Sequence, residues 1–314
     1  MIEALAMTND SSDSRSDKAF WSDVFALHGS VTPIIFGRVI WFGAIAAVYT
    51  AINAWIHTDL GIGLGPVELA GGVLGFLLVF RTNAGYDRWY EGRKLMGQIV
   101  NHSRNLAITT LAHGPEDARW RESVIRWIAS FGHVTRATLR RQKAPSAVRE
   151  LLGQQWTDEL DQAPHMPTAV ALRIGEFMQH ACTEMGMSQL GFLEADRERA
   201  WLIEYEGACE RIRSTPIPIA YSINIRRLSF LYLALVPFAL LDHLRTVEWL
   251  SPLIMMLIAY PILAMDQIGV ELEHPFDNTS LNHLPLDELC GRIESELLGL
   301  LAASPSASPA HKPE

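Results

Sequence analysis

Cysteine is nearly missing from this chain: Cys182, Cys209 and Cys290 stand far apart, and no two form a CxxC pair. That excludes a disulfide scaffold and a cysteine zinc cluster, and it fits a reducing compartment in which the thiols are small buried residues. A basic patch is missing too. With 26 Lys and Arg against 35 Asp and Glu, the net charge of -9 excludes nucleic acid as the main partner. There is no GxSxG, HExxH, P-loop or GxGxxG, so an enzyme reading finds no site. Glu176 with His180, and Glu271, Glu273 and His274 in "ELEH", are isolated groups of the kind that decorate solvated helix faces. No segment alternates with the two-residue period of a strand, which leaves an all-α chain. The opening "MIEALAMTNDSSDSRSDKAF" lacks the basic start and apolar middle of a signal peptide and reads as a polar arm.

What is present is apolar sequence in four long stretches. The first is Pro33 to Ile56, with Thr32 as N-cap and Pro33 at the first helical position, and Arg38 as its one charge. The second begins "GPVELAGGVLGFLLVF" at Gly65. The third, Leu228 to Leu241, and the fourth, Trp249 to Met265, form a hairpin around "DHLRTVE". Pro237, Pro252 and Pro261 suit membrane helices better than soluble ones, because neighbouring helices satisfy the freed carbonyls. Arg81, Arg88, Arg93 and Lys94 follow the second stretch, and Arg226 and Arg227 precede the third. By the positive-inside rule those sides face the cytoplasm, the loop from His57 to Gly65 is external, and both termini are cytoplasmic, in an inner (plasma) membrane protein. The domain plan is then a cytosolic arm over 1–31 and two membrane helices over 32–81. A helical cytosolic domain over 82–227 precedes two further membrane helices over 228–266. A cytosolic segment over 267–301 and a Pro- and Ser-rich disordered tail over 302–314 complete it. In the middle section, Val124, Ile125, Trp127, Ile128, Phe131 and Val134 recur at helical spacing and are its expected core.

The second stretch passes without a break from "VELAGGVLGFLLVF" into "RTNAGYDRWYEGRKLMG". Polarity changes along the axis rather than around it. A single helix from Pro66 to about Leu106, roughly 60 Å long at 1.5 Å per residue, accounts for this. Gly72, Phe76 and Phe80 follow one another at i, i+4 and i+8 on one face, with Glu68 four residues before Gly72. Gly71 and Gly75 form a GxxxG on an adjacent face, the spacing that allows close helix approach.

"FRTNAGYDRWYEGRKLMGQIVNHSRNLA" resembles the segment of bestrophin-family channels in which an apolar pore helix enters an Arg-Trp-aromatic-Glu motif. "TPIPIAYSINIRRLSFLYLALVPFAL" resembles the family's entry to its third span. "IGVELEHPFDNTSLNHLPLDEL" resembles its signature after the fourth, with His274-Pro275 in place of Asn-Pro. The resemblance implies a homopentamer in the lipid bilayer around one pore for monovalent ions. It assigns the neck to Gly72, Phe76 and Phe80 and the cytosolic aperture to Ile217. Glu68, four residues before Gly72, falls near the outer mouth and would favour cations if it faces the axis. Gly72 replaces the bulky apolar residue usual in the family, so the outer end of the neck is expected to be wider. No cofactor or metal is implied. The acidic clasp that binds calcium in animal relatives is reduced here to Asp277, Asp287 and Glu288.

The reading is therefore a passive channel for chloride-like anions. A sodium channel of the same architecture and a membrane-anchored helical scaffold are the alternatives. The Arg88-Trp89-Tyr90-Glu91 cluster is expected to be structural, with Glu91 paired to Lys94 or to a basic residue on another helix.

Overall fold

The computed structural model describes residues 21, 22, 24–56, 63–244 and 247–303. The polar arm up to residue 20, most of the 57–65 loop and the tail from residue 304 lie outside the described residues. Every regular element described is helical: α1 Thr32–Ile56, α2 Leu64–His113, α3 Ala118–Leu139, α4 Ser146–Leu152, α5 Gln154–Gln162, α6 Met166–Glu184, α7 Gln189–Ser214, α8 Ile219–His243, α9 Ser251–Glu273 and α10 Leu286–Ala303. A short 3-10 turn, Glu248–Leu250, precedes α9. The chain divides into two compact units. One holds residues up to Ala84 with Pro218–Glu271, and the other holds Gly85–Ile217 with the chain from Leu272 onward.

The first unit contains α1, the start of α2, α8 and most of α9. Four helical segments there are long and apolar enough to cross a membrane: Thr32–Ile56, Leu64–His113, Ile219–Leu241 and Glu248–Glu273. Their common core is Phe42, Ala46, Val67, Leu233, Val236, Met255 and Ala259, with Leu74, Leu78 and Ile225 in a second cluster. Phe36, Trp41, Val48, Leu231 and Leu257 point outward, as helices surrounded by lipid require. Thr32 is the first residue of α1 rather than its cap. Its amide donates to Ser30 Oγ at 3.1 Å, and its hydroxyl lies 2.8 Å from Tyr260 Oη. Pro237 and Pro261 sit inside α8 and α9 without ending them. The GxxxG spacing works at one position only. A Cβ on Gly71 would lie 2.7 Å from Tyr232 Oη, whereas one on Gly75 would meet nothing within 4 Å.

The second unit is a helical bundle around α3. Val124, Ile125, Trp127, Ile128, Phe131 and Val134 are all buried, together with Met96, Ile99 and Leu106 of α2, Ile174 and Met178 of α6, Leu202 of α7, and Ile293 and Leu297 of α10. Polar caps start its helices: Asp117 accepts from the Trp120 amide at 2.7 Å, and Ser188 Oγ accepts from the Gly191 amide at 3.1 Å. Cys209 and Cys290 are buried, and burial pushes each thiol up to about 12, so both are inert packing groups at neutral pH.

Apolar sequence stops short of the helices it starts. Helix α2 runs for 50 residues, about 75 Å, and is longer than the span expected from Pro66 to Leu106. Helix α8 begins at Ile219, upstream of Arg226 and Arg227, and α9 continues to Glu273. Helix α10 reaches Ala303, just inside the segment expected to be tail.

Candidate pore lining

Helix α2 has two distinct sides within the first unit. Val67, Leu74, Leu78 and Arg81 are buried. At 100° per residue, Phe76 lies about 160° round the helix from both Leu74 and Leu78. It is 71% exposed, and Phe80, one turn on, is 62% exposed. Gly72 is exposed on the same side, and a Cβ there would meet nothing within 4 Å. Packing within the subunit therefore does not require glycine at 72. Glu68 is also exposed, one turn before Gly72. Glu68, Gly72, Phe76 and Phe80 thus form one continuous stripe that no other part of the first unit covers.

The buried side is fixed by a charge. Arg81 is 1% exposed and pairs with Asp266 of α9, and its aliphatic stem runs past Gly269, where a Cβ would stand 3.4 Å from Arg81 Cγ. Arg226 Nε lies 3.6 Å from the other Asp266 oxygen. Gln267 links onward, accepting from Arg38 at 3.4 Å and donating to Glu271 at 2.8 Å. Sequence reasoning missed this pairing. The available signal was Asp266 itself, a lone acid at the end of an apolar run, which by default has a functional partner.

In the second unit, the aromatic-charged motif holds helix ends together. The Arg88 guanidinium donates to the carbonyls of Thr215 and Ile212, each at 2.6 Å, and of Glu273 at 3.3 Å. These oxygens belong to the ends of α7 and α9, where a cation also opposes the helix dipole. Trp89 Nε1 donates to Asn282 O at 2.8 Å. At Gly92 a Cβ would stand 3.1 Å from the Phe276 ring, so a larger residue would press on that ring. Glu91 departs from expectation: it is exposed, and no ion pair forms between it and another described residue. Lys94 instead lies 5.8 Å over the Tyr90 ring. Ile217 stands between Pro216 and Pro218 in the bend after α7, partly exposed. Two prolines keep a helix from continuing through it.

The acids considered for other chemistry are engaged locally. Glu176 pairs with Arg173 at 2.6 Å, and His180 lies 3.4 Å from Glu184. Asp287 is held by Arg136 and Arg140, and these guanidinium groups keep its carboxyl below the usual range against the opposing effect of burial.

Residues 11–299 match the model of the bacterial and fungal bestrophin proteins. The chain belongs to the bestrophin family. A voltage-dependent anion channel-forming protein of Synechocystis sp. is 31% identical over 297 residues, which cover 93% of this chain and 95% of that protein. A protein of the same description from Mesorhizobium japonicum is 33% identical over 290 residues, 92% of each chain. Among solved structures, a bacterial bestrophin homologue from Klebsiella pneumoniae superimposes with a TM-score of 0.78 at 26% identity, covering 86% of this chain and 100% of that one. With four membrane-length helices, the chain is a multi-pass membrane protein of all-α fold.

Proposed function

We propose that this bestrophin forms a homopentameric channel for passive flow of chloride-like anions across the inner membrane, with both termini and the second unit on the cytoplasmic side. The observation that carries the reading is the uncovered Gly72–Phe76–Phe80 stripe on α2, opposite the side fixed by Arg81. Five such stripes around an axis give two phenylalanine rings, a dry constriction whose wetting controls conduction. Gly72 gives a wider ring toward the outer end. Ile217 supplies a separate apolar ring in the second unit. The arrangement needs no cofactor and no catalytic group.

Glu68 at the outer mouth favours cations, and the anion reading sets the two phenylalanine rings in the narrowest part against it. A phenyl group has a negative face and a positive edge, and edges turned to the axis favour a partly dehydrated anion. The low dielectric of the neck strengthens that preference relative to water. The anion-channel descriptions of the Synechocystis and Mesorhizobium relatives support the same sign and speak against the sodium alternative. The test is the reversal potential of the reconstituted protein in a chloride salt gradient, for the parent and for Phe76→Ile. An anion-selective parent whose selectivity weakens in Phe76→Ile is expected. A parent that passes sodium and excludes chloride would sink the reading.

A further inference from the structure

The second unit contains three donors that converge from the cap of α6 and from α7. His165 is the N-cap of α6, and Glu206 and Glu210 lie one turn apart on α7. His165 Nε2 is 3.5 Å from Glu206 Oε1 and 3.4 Å from Glu210 Oε1, and one donor atom from each of the three residues lies within 4.8 Å of the others. Two donors each 2.0–2.1 Å from a tetrahedral ion stand about 3.3–3.4 Å apart, which is the observed spacing from the imidazole to each carboxylate.

The three groups stand at ion-pair distance, yet two of the facing atoms make no hydrogen bond. Glu206 is 1% exposed, yet its Oε1 has no hydrogen-bond partner, and neither has His165 Nε2. A buried carboxylate beside a second carboxylate calls for a cation or a proton. Burial, followed by the Glu210 charge, pushes the Glu206 carboxyl up to about 8. On the other side of the ring, His165 Nδ1 lies 2.6 Å from Thr168 Oγ1. The Thr168 amide also donates to Nδ1, at 3.4 Å, so zinc at Nε2 would replace this long cap bond by an Nδ1–H donated to the Thr168 hydroxyl, the arrangement of a metal-bound histidine.

We propose that His165, Glu206 and Glu210 form a zinc site on the second unit, with a fourth position open to water. The imidazole favours a transition metal, and zinc is the one tested, over calcium, which requires six to eight oxygens. Occupancy would tie the start of α6 to the middle of α7. The proposal does not rest on the channel reading, and its test measures no ion flow.

Full-length protein in detergent, stripped with a chelator, is titrated with zinc chloride by calorimetry. One zinc per subunit is expected, with a higher unfolding temperature. Affinity is expected to fall at least tenfold in His165→Ala and in Glu210→Gln, whose side chain is 38% exposed and so disturbs folding less than a change at Glu206 would. Anomalous scattering at the zinc edge should peak among the three side chains. No saturable zinc binding, or zinc affinity unchanged in both His165→Ala and Glu210→Gln, would overturn the proposal. So would calcium binding as tight as zinc.

Discussion

The Arg81–Asp266 pair holds α2 against α9, and the side of α2 that carries the phenylalanines depends on it. Removing the acid in Asp266→Ala leaves a guanidinium that is 1% exposed without its counter-charge. Breaking a buried pair from one side costs about 3–5 kcal/mol. Arg226 loses a partner as well, but its side chain is 56% exposed and rehydrates. Arg81→Met is expected to cost less, because Asp266 keeps Arg226 and the methionine still fills the space beside Gly269. The double variant Arg81→Met/Asp266→Leu removes both charges and should recover at least 2 kcal/mol of the loss seen in Asp266→Ala. Thermal unfolding of the detergent-solubilised protein reads the order directly. Asp266→Ala should fall on the order of 10 °C below the parent, with the double variant between them. Asp266→Ala within about 1 kcal/mol of the parent, or a double variant worse than Asp266→Ala, would refute the argument that this charge is buried and paired.

Gly72→Leu should stabilise α2 by up to about 1 kcal/mol, because it replaces a helical glycine that touches nothing, while lowering liposome flux several-fold; unchanged flux would take residue 72 out of the neck. Ile217→Ala should raise or re-select flux with assembly intact, read by flux and by size-exclusion chromatography, and loss of assembly would make Ile217 a packing residue. Glu206, with Glu210 and His165 facing it, holds its proton up to about pH 8 in the fold against an ordinary value of 4.5. Its stabilising contribution is therefore complete below the ordinary value and is lost as pH rises through about 8. In chelator, the parent's unfolding temperature should fall across that window and that of Glu206→Gln should stay flatter.

Much of this could be read from residue order. The four membrane helices and the buried face of α3 follow from apolar length and from a 3.6-residue period, both local properties. Helix ends were less legible, because α2 and α8 continue through charged residues that carry no stop signal. The Gly71–Gly75 spacing was legible, but which glycine a neighbour approaches depends on where Tyr232 falls on α8. Glu91 has the right spacing to pair with Lys94, and the lysine takes the aromatic ring instead. Long-range pairs were illegible. Nothing in the local sequence of Arg81 separates it from Arg88 or Arg93, yet Arg81 is buried, Arg88 binds carbonyls and Arg93 is exposed. The convergence of His165 with Glu206 and Glu210 likewise requires α6 and α7 to be packed together.

Exposure alone does not tell a pore from lipid, since Phe36 and Trp41 of α1 are as uncovered as Phe80. The stripe on α2 differs in what else it carries. Glu68 shares its side one turn before Gly72, and Asp87 follows at i+7 from Phe80, also exposed. A carboxylate near the middle of a bilayer costs about 2.5–3.5 kcal/mol, and less toward the interface, whereas one facing water costs nothing. Exposed glycine at 72 and 75 gives up contact area that a lipid-facing helix would use for packing. The outward side of α1, by contrast, carries Phe36, Ile40, Trp41 and Val48, with Arg38 as its one charge, at the interface end. The acid at 68 and the open glycines suit the water-filled approach to a constriction, and the two phenylalanines suit the constriction itself.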